Sequence, residues 1–495
     1  MGTGLGRILR RFLLGLGVTA AVLALVTGWL WWLGGGTPTV SVDYVAKLNE
    51  RSLPVPEQDR AWPIYQRAIA RLPSGEALNA FDDLFARVSP GDERWAECTS
   101  TLADHEETLR LIREGAAKPG TGIVLEAPPE GPGNGAGGGA DRMEPTWVVQ
   151  ILLPQLGEFR RMARLLRADA LHAAELGDSN RAAGDLEALA GLGRHAREHP
   201  ILISQLVSQA IGALASECAR EIIHGFPGVL DEESLRRVDA AIAGVFTGPE
   251  TTLDLTGERY FFLDMIQRVY TDDGHGNGRI TAVGLKQFAR ATQIDPPVVL
   301  QANRVATGFA SLFSKDRAEI TALVNRLYDG LEAYGKTPGW QRGPDAIDAE
   351  IERMYAERRL LDVGETLVTL LMPALGRAVV STERSRLDAE AARVVIALER
   401  FRLANGRWPD ELGQLVPQYL GSLPRDLFTG ESLRYAPGAS GPVLYSLGVD
   451  RDDDGGRPAA QARDWASAEQ AAWFVAEKPG LRDGDWVLYP PSPGE

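Results

Sequence analysis

Asp450-Arg451-Asp452-Asp453-Asp454-Gly455-Gly456 is the stretch of this chain best equipped for chemistry. Carboxylates at the alternate positions Asp450, Asp452 and Asp454, closed by glycines that permit a sharp turn, are what a hard cation needs. Several oxygen ligands then converge from one loop, with backbone carbonyls and water completing the shell. Four carboxylates between positions 450 and 454 repel one another, so binding a cation is expected to be coupled to ordering the loop. The spacing predicts calcium at Asp450, Asp452 and Asp454; the alternative is a solvated acidic turn. The loop departs from an EF-hand, because its twelfth position is Gln461 instead of a bidentate Glu and no helix clearly enters it.

Four other patterns have chemical spacing. His195-Ala196-Arg197-Glu198-His199 fits the inverted zinc-protease motif, in which histidines four apart share one helical face. A periplasmic zinc metallohydrolase using His195, Glu198 and His199 is therefore the enzyme alternative, set against two structural histidines at a helix end before Pro200. Gly330-Leu331-Glu332-Ala333-Tyr334-Gly335-Lys336-Thr337 matches a phosphate loop letter for letter, but that chemistry needs a strand before it and a helix starting at the Lys. A helical pattern precedes it and Pro338 follows, so a helix C-terminus is expected. Gly133-Asn134-Gly135-Ala136-Gly137-Gly138 has dinucleotide spacing inside a Pro/Gly tract and reads as loop. Asp273-Gly274-His275-Gly276-Asn277-Gly278-Arg279-Ile280 resembles an incomplete EF-hand loop, with His275 third and Gly284 twelfth, and reads as a turn.

The elements that must position the acidic loop begin with an amphipathic helix. Leu387, Ala391, Val394, Leu398 and Phe401 alternate in steps of four and three, which puts one apolar stripe on a helix with Ser381 and Thr382 as caps. Gly406 ends it and Pro409 forbids continuation. A short helix around Leu412 to Val416, closed by Pro417, precedes extended segments at 433–435, 443–445 and 486–489, punctuated by Gly and Pro as a hairpin requires. A helix is also expected between 458 and 476.

This C-terminal quarter resembles the globular end of the major pseudopilin (protein G) of type II secretion systems. Ser446-Leu447-Gly448-Val449-Asp450 matches the family's Ser-Leu-Gly-x-Asp run, and Trp408-Pro409, Leu415-Val416-Pro417 and Leu423-Pro424-Arg425-Asp426 match its connection between helix and sheet. Leu427 departs from the turn former usual there. The resemblance implies a small α+β module with an antiparallel sheet, stabilised by calcium, with Asp450 at the matched ligand position.

At the other end, Arg7, Arg10 and Arg11 precede an uncharged stretch over 12–33, long enough at about 1.5 Å per residue to cross about 30 Å of hydrocarbon. The arginines predict a cytoplasmic N-terminus, and Trp29, Trp31 and Trp32 stand where an aromatic belt meets the far interface. The expectation is a single-pass inner (cytoplasmic) membrane protein with its bulk periplasmic or otherwise extracytoplasmic. A cleaved signal peptide, with Val18-Thr19-Ala20 as the site, is disfavoured because apolar sequence continues past it. No Cys follows the apolar run to carry a lipoprotein anchor. The Gly-Phe and following Glu of a prepilin leader are not present before residue 34, which argues against a pseudopilus subunit.

Composition bounds the remainder. About 460 residues follow the span, enough for two or more domains, and 44% apolar with 24% charged residues is ordinary globular composition. A net charge of −15 disfavours nucleic acid and anionic membrane surfaces as partners. Cys98 and Cys218 are too few for a disulfide framework and read as two buried thiols, with one bridge in an oxidising compartment as the alternative. Periodic segments at 160–176 and 182–198, joined by Gly177-Asp178-Ser179-Asn180, predict an antiparallel helical hairpin. It resembles a tetratricopeptide unit in its small residues, without a regular 34-residue period. Further helices are expected over 201–223, 233–246, 315–334 and 346–361, with a Pro/Gly loop at 127–141 and a turn at Pro296-Pro297.

The predicted architecture is mainly α. A cytoplasmic tail (1–11) leads into a transmembrane helix (12–33), a tether (34–56), a helical region (57–126), a Pro/Gly-rich loop (127–146), a helical bundle or irregular solenoid (147–378) and the pseudopilin-like domain (379–495). The predicted role is non-catalytic: a membrane-anchored envelope protein whose calcium-stabilised module binds envelope or secretion-apparatus proteins, with no nucleotide or nucleic acid.

Overall fold

A computed structural model describes residues 2–126, 147–151, 153–246, 253–292, 303–341, 362–438, 441–448, 450–458 and 484–490. Among them are fifteen helices and one three-stranded antiparallel sheet, so the chain is mainly helical. The expected helix at 346–361, the glycine run 133–138, Pro296-Pro297 and nearly all of the expected helix at 458–476 lie outside the described residues.

The first helix, α1 (Gly2–Leu33), is apolar and exposed, and Arg10–Leu33 is long and apolar enough to cross a membrane. The sequence after it was expected to be a tether; instead it is held by side chains remote in sequence. Gln267 Oε1 accepts from the amides of Ser41 and Val42, both at 3.1 Å, and its amide donates to the Val42 carbonyl at 2.8 Å. Asp43 then caps α2 (Tyr44–Asn49), and Asn49 exchanges hydrogen bonds with the backbone of Leu125 at 2.9 and 2.7 Å. The polar, Gly- and Pro-containing composition of 34–56 is that of a linker, but nothing local reveals that partners 76 to 226 residues away satisfy its backbone.

The first and larger core is built by α3 (Trp62–Ile69), α4 (Glu76–Arg87), α5 (Trp95–Asp104), α6 (Glu106–Ala116), α7 (Gln155–Glu175), α8 (Ser179–Ala196), α9 (Leu202–Gly225) and α10 (Glu232–Phe246). The predicted hairpin is α7 and α8: the chain turns after α7 and the Asp178 carboxylate caps α8 by accepting from the Arg181 amide at 3.0 Å. Its facing surfaces are mostly Ala and Leu, buried throughout, which lets the two helices approach closely. Cys98 and Cys218 lie in this core as free thiols, and burial pushes the Cys98 thiol up to about 12.

A second core gathers Trp147 and Leu255 with α11 (Thr256–Val269), α12 (Ala282–Thr292), α13 (Arg304–Ser311) and α14 (Arg317–Lys336). It lies on the side of α1: α13 packs on the end of that helix, and α12 receives it at Gly34.

The two cores are joined by α15 (Val363–Asn405), a helix of 43 residues, about 65 Å at 1.5 Å per residue, with Val368 in the second core and Leu387 to Phe401 in the first. Its cap is Asp362, whose Oδ1 accepts from the Glu365 amide at 3.0 Å. Ser381 and Thr382, expected as caps, are inside it; the Thr382 hydroxyl donates to the Ala378 carbonyl one turn back at 2.8 Å. Leu371-Met372-Pro373, expected to precede a separate domain, also falls inside α15. The expected stripe holds: Leu387, Ala391, Val394, Leu398 and Phe401 are all buried. What they face was not anticipated, since α15 packs on α9 and α10 within the first core. Ion pairs Arg220–Asp388 at 2.7 Å, Arg393–Asp239 at 2.7 Å and Arg400–Glu232 at 2.8 Å flank that seam. A boundary at 378 therefore cuts a continuous helix, and the C-terminal module shares its core with residues 61–246.

Gly406, at φ 70°, closes α15 in the left-handed conformation that a side chain disfavours. A short 3-10 turn (Leu412–Leu415) follows, and then the sheet β1 (Arg434–Ala436), β2 (Val443–Ser446) and β3 (Trp486–Tyr489) in that order. Tyr435 pairs with Leu444 across β1 and β2, and Ser446 pairs with Trp486 across β2 and β3. Leu444, Leu488 and Tyr489 join the first core, so the sheet fixes the loop that follows β2 to the body of the protein.

Candidate metal site

The acidic loop leaves β2 through Ser446-Leu447-Gly448. Two contacts fix that exit: the buried Asp426 carboxylate accepts from the Leu447 amide at 3.0 Å and from the Phe428 amide at 2.7 Å, which ties the 424–432 turn to the end of β2. Arg451, at φ 65°, is the one non-glycine residue in the left-handed region among the described residues. Together with Gly448, Gly455 and Gly456 it folds the loop back on itself.

In this turn Asp450, Asp452 and Asp454 each place one carboxylate oxygen within 4.8 Å of the others. Asp453, between them, is turned away: it accepts from the Tyr445 hydroxyl at 2.9 Å and the Gly455 amide at 3.0 Å, and so serves the turn. Alternation thus sorts the four carboxylates into three convergent and one structural.

Asp485 was not singled out in the sequence. It stands just before β3, fully buried, with its Oδ2 accepting from the Gly456 amide at 2.7 Å while its own amide donates to the Arg457 carbonyl at 2.9 Å. Its Oδ1 is buried without a hydrogen-bond partner, and so is Asp454 Oδ2. Arg457 pairs with the other oxygen of Asp454. Two orphaned carboxylate oxygens in one small turn cost desolvation that a bound cation would offset. Partial burial, with the Asp452 carboxylate alongside, raises the Asp450 carboxyl to about 6; burial and the charges of Asp453 and Asp454 push Asp485 up as well. The donor set is all oxygen, which suits calcium or magnesium and not zinc.

The other candidates resolve differently. α8 ends at Ala196, so Glu198 and His199 are off the helix and the shared face that the zinc motif requires does not exist. His195 is buried with both ring nitrogens engaged: Nε2 is 2.9 Å from the Lys118 carbonyl, which can only accept, so Nε2 carries the proton and Nδ1 accepts from the Tyr65 hydroxyl at 2.7 Å. Burial first, and then the charge of Arg194, lower its pKa to about 4. His199 Nε2 meets the Ser52 hydroxyl at 3.0 Å, and Glu198 accepts from the Thr121 amide at 2.7 Å and from the Thr121 hydroxyl. These residues knit the 49–52 and 118–123 segments to the end of α8.

The phosphate-loop match lies inside α14, with Thr337 as its C-cap, so no amide cradle forms there. In the 273–280 loop the Asp273 carboxylate accepts from the amides of His275 at 2.8 Å and Asn277 at 3.1 Å, while Asp272 pairs with Arg317 at 3.1 Å. It closes a turn between the bridged residues Tyr270 and Ile280.

One buried charge cluster was not anticipated. Asp169 in α7 and Asp185 in α8 are both fully buried, with Arg113 of α6 reaching each of them and Arg181 pairing with Asp169. Their positions inside apolar helix faces were the available signal; the arginine that joins them comes from a third helix, which no local pattern reveals.

No family model, no curated protein and no solved structure matches this chain.

Proposed function

We propose that this chain is a non-catalytic, membrane-anchored envelope protein whose C-terminal module is stabilised by calcium at Asp450, Asp452 and Asp454 and binds other envelope proteins. The observation that carries the reading is the convergence of three carboxylates beside two buried carboxylate oxygens that lack partners. In this reading Asp485 backs the site by holding the Gly456 amide, and Gly448 and Arg451 set the turn. The pseudopilin resemblance of the Ser446–Asp450 run supports the same cation and suggests secretion-apparatus proteins as partners. The apolar length of Arg10–Leu33 supports the anchor, and Arg7, Arg10 and Arg11 ahead of it support a cytoplasmic N-terminus with the bulk on the extracytoplasmic side.

Because the module shares its core with the helical body, the test uses the full chain, purified in detergent. Calcium at a hundred times its Kd stabilises a single site by about 2.7 kcal/mol. The melting midpoint is therefore expected to rise with calcium over chelator in the wild type and not in Asp450→Ala. Equal midpoints in the wild type with and without calcium would remove the metal from the account. Crosslinking in native envelopes tests the partner class, and capture of envelope assembly proteins is the expected outcome.

A further inference from the structure

The junction between α1 and the second core is closely packed. A side-chain carbon at Gly34 would stand 1.9 Å from the Arg304 carbonyl oxygen, and one at Gly308 would stand 1.9 Å from that of Leu30, so the two helix backbones touch. Contact through small residues is how membrane helices pack when no hydrophobic drive separates them from lipid. Around it, the Arg304 guanidinium lies 4.5 Å from the Trp31 ring centre and that of Arg279 lies 4.4 Å from Trp32. Arg279 also donates to the Leu33 carbonyl at 2.7 Å, and the Ala282 amide donates to that of Gly34 at 3.0 Å.

Beside this joint is a second apolar surface. Phe309, Leu312 and Phe313 follow Gly308 by one, four and five residues, within about 8 Å along a helical path. They are 47%, 46% and 41% exposed, and the two Phe rings pack at 5.2 Å. Ala310, between them, is buried in the second core, so α13 has one face in protein and the other open. Single exposed apolar residues are ordinary on a protein surface; three together, at the end of a helix that runs back along α1 through the Gly34–Arg304 and Gly308–Leu30 contacts, are not.

We propose that the open face of α13 and the turn at Leu312-Phe313 enter the outer lipid interface beside the anchor, so that the second core is seated on the bilayer at two points. This rests on α1 being a membrane span. The course of α13 back along the apolar α1 selects lipid as the occupant, and the net charge of −15 selects insertion of apolar side chains over attraction to anionic headgroups. With Gly34 and Gly308 in contact, α1 cannot swing relative to the second core, and Phe309 and Phe313 add a second constraint on its tilt.

The full chain is reconstituted in phosphatidylcholine nanodiscs with an environment-sensitive fluorophore on one introduced cysteine: Phe313→Cys, Phe309→Cys, Leu23→Cys in the span, or Leu176→Cys, an equally apolar and 63% exposed residue on the first core. The native thiols are buried and do not compete. Quenching by lipid-borne nitroxide of at least twofold is expected at 23, 309 and 313 and not at 176. Quenching at 23 with 309 and 313 behaving like 176 overturns the proposal and leaves the anchor standing. Absence of quenching at 23 overturns both.

Discussion

The two buried clusters around His195 and around Asp169, at different levels of α8, and the loop around Asp450 all crowd polar groups into little space, and they do it to opposite effect. In the buried clusters the protein supplies the counter-charge: the ring nitrogens of His195 have a carbonyl and a hydroxyl, and Asp169 and Asp185, one of whose oxygens has no hydrogen bond, are matched by Arg113 and Arg181. In the loop three carboxylates converge and buried oxygens of Asp454 and Asp485 have no hydrogen-bond partner. A cluster of chemically apt side chains therefore points to a ligand only where converging charge is left uncompensated. His195 and His199 matched a metal motif by letter, but both ring nitrogens of His195 are engaged and His199 lies off the helix.

The largest expected effect belongs to the Asp169 cluster. Asp169→Ala leaves Arg113 and Arg181 facing a buried site without their shared carboxylate, and is expected to cost about 3–5 kcal/mol in chemical denaturation, the same with and without calcium. A calcium-dependent loss would erase the distinction between the two regions.

Next comes pH, to which the regions respond with opposite signs. His195 binds its proton in the unfolded chain near pH 6.5 but in the folded one only near 4. Stability is therefore complete above pH 6.5 and falls by about 3 kcal/mol as the pH drops toward 4. His195→Gln is expected to flatten that decline. Asp450 runs the other way, because its folded pKa, about 6, is raised from 3.8. In metal-free protein the loop loses stability as the pH rises from about 4 to 6, and calcium restores it. Calcium affinity should fall by up to about tenfold per pH unit below 6, as protons compete for the site. An affinity flat from pH 7 to 5 would place the ligands elsewhere.

Smaller still is the effect of Asp273→Ala. Its carboxylate caps a turn, so about 0.5–1 kcal/mol is expected, with no change in calcium response. A lost calcium response would make that loop the site instead.

What the sequence reveals divides along the same line. The α7–α8 hairpin, the stripe Leu387 to Phe401, the Gly406 stop, the three strands and the acidic loop are local patterns, and each stands within a few residues of where spacing puts it. Tertiary facts are missing from such patterns. Ser381 and Thr382 look like caps because hydroxyl residues often are, but Asp362 starts the helix far upstream and Gln209 donates to Thr382 at 2.6 Å across the groove. Residues 34–56 look like a tether because their partners, Gln267 and Leu125, are remote. Asp485 could not be assigned to the loop from its own surroundings; the pairing of β2 with β3 brings it there.

Direct titration of the metal-free full chain by calorimetry at neutral pH tests whether the acidic loop holds calcium. One calcium per chain is expected, with no binding in Asp450→Ala and affinity reduced at least tenfold in Asp485→Asn. No bound calcium in the wild type, or one calcium undiminished in Asp450→Ala, would contradict it.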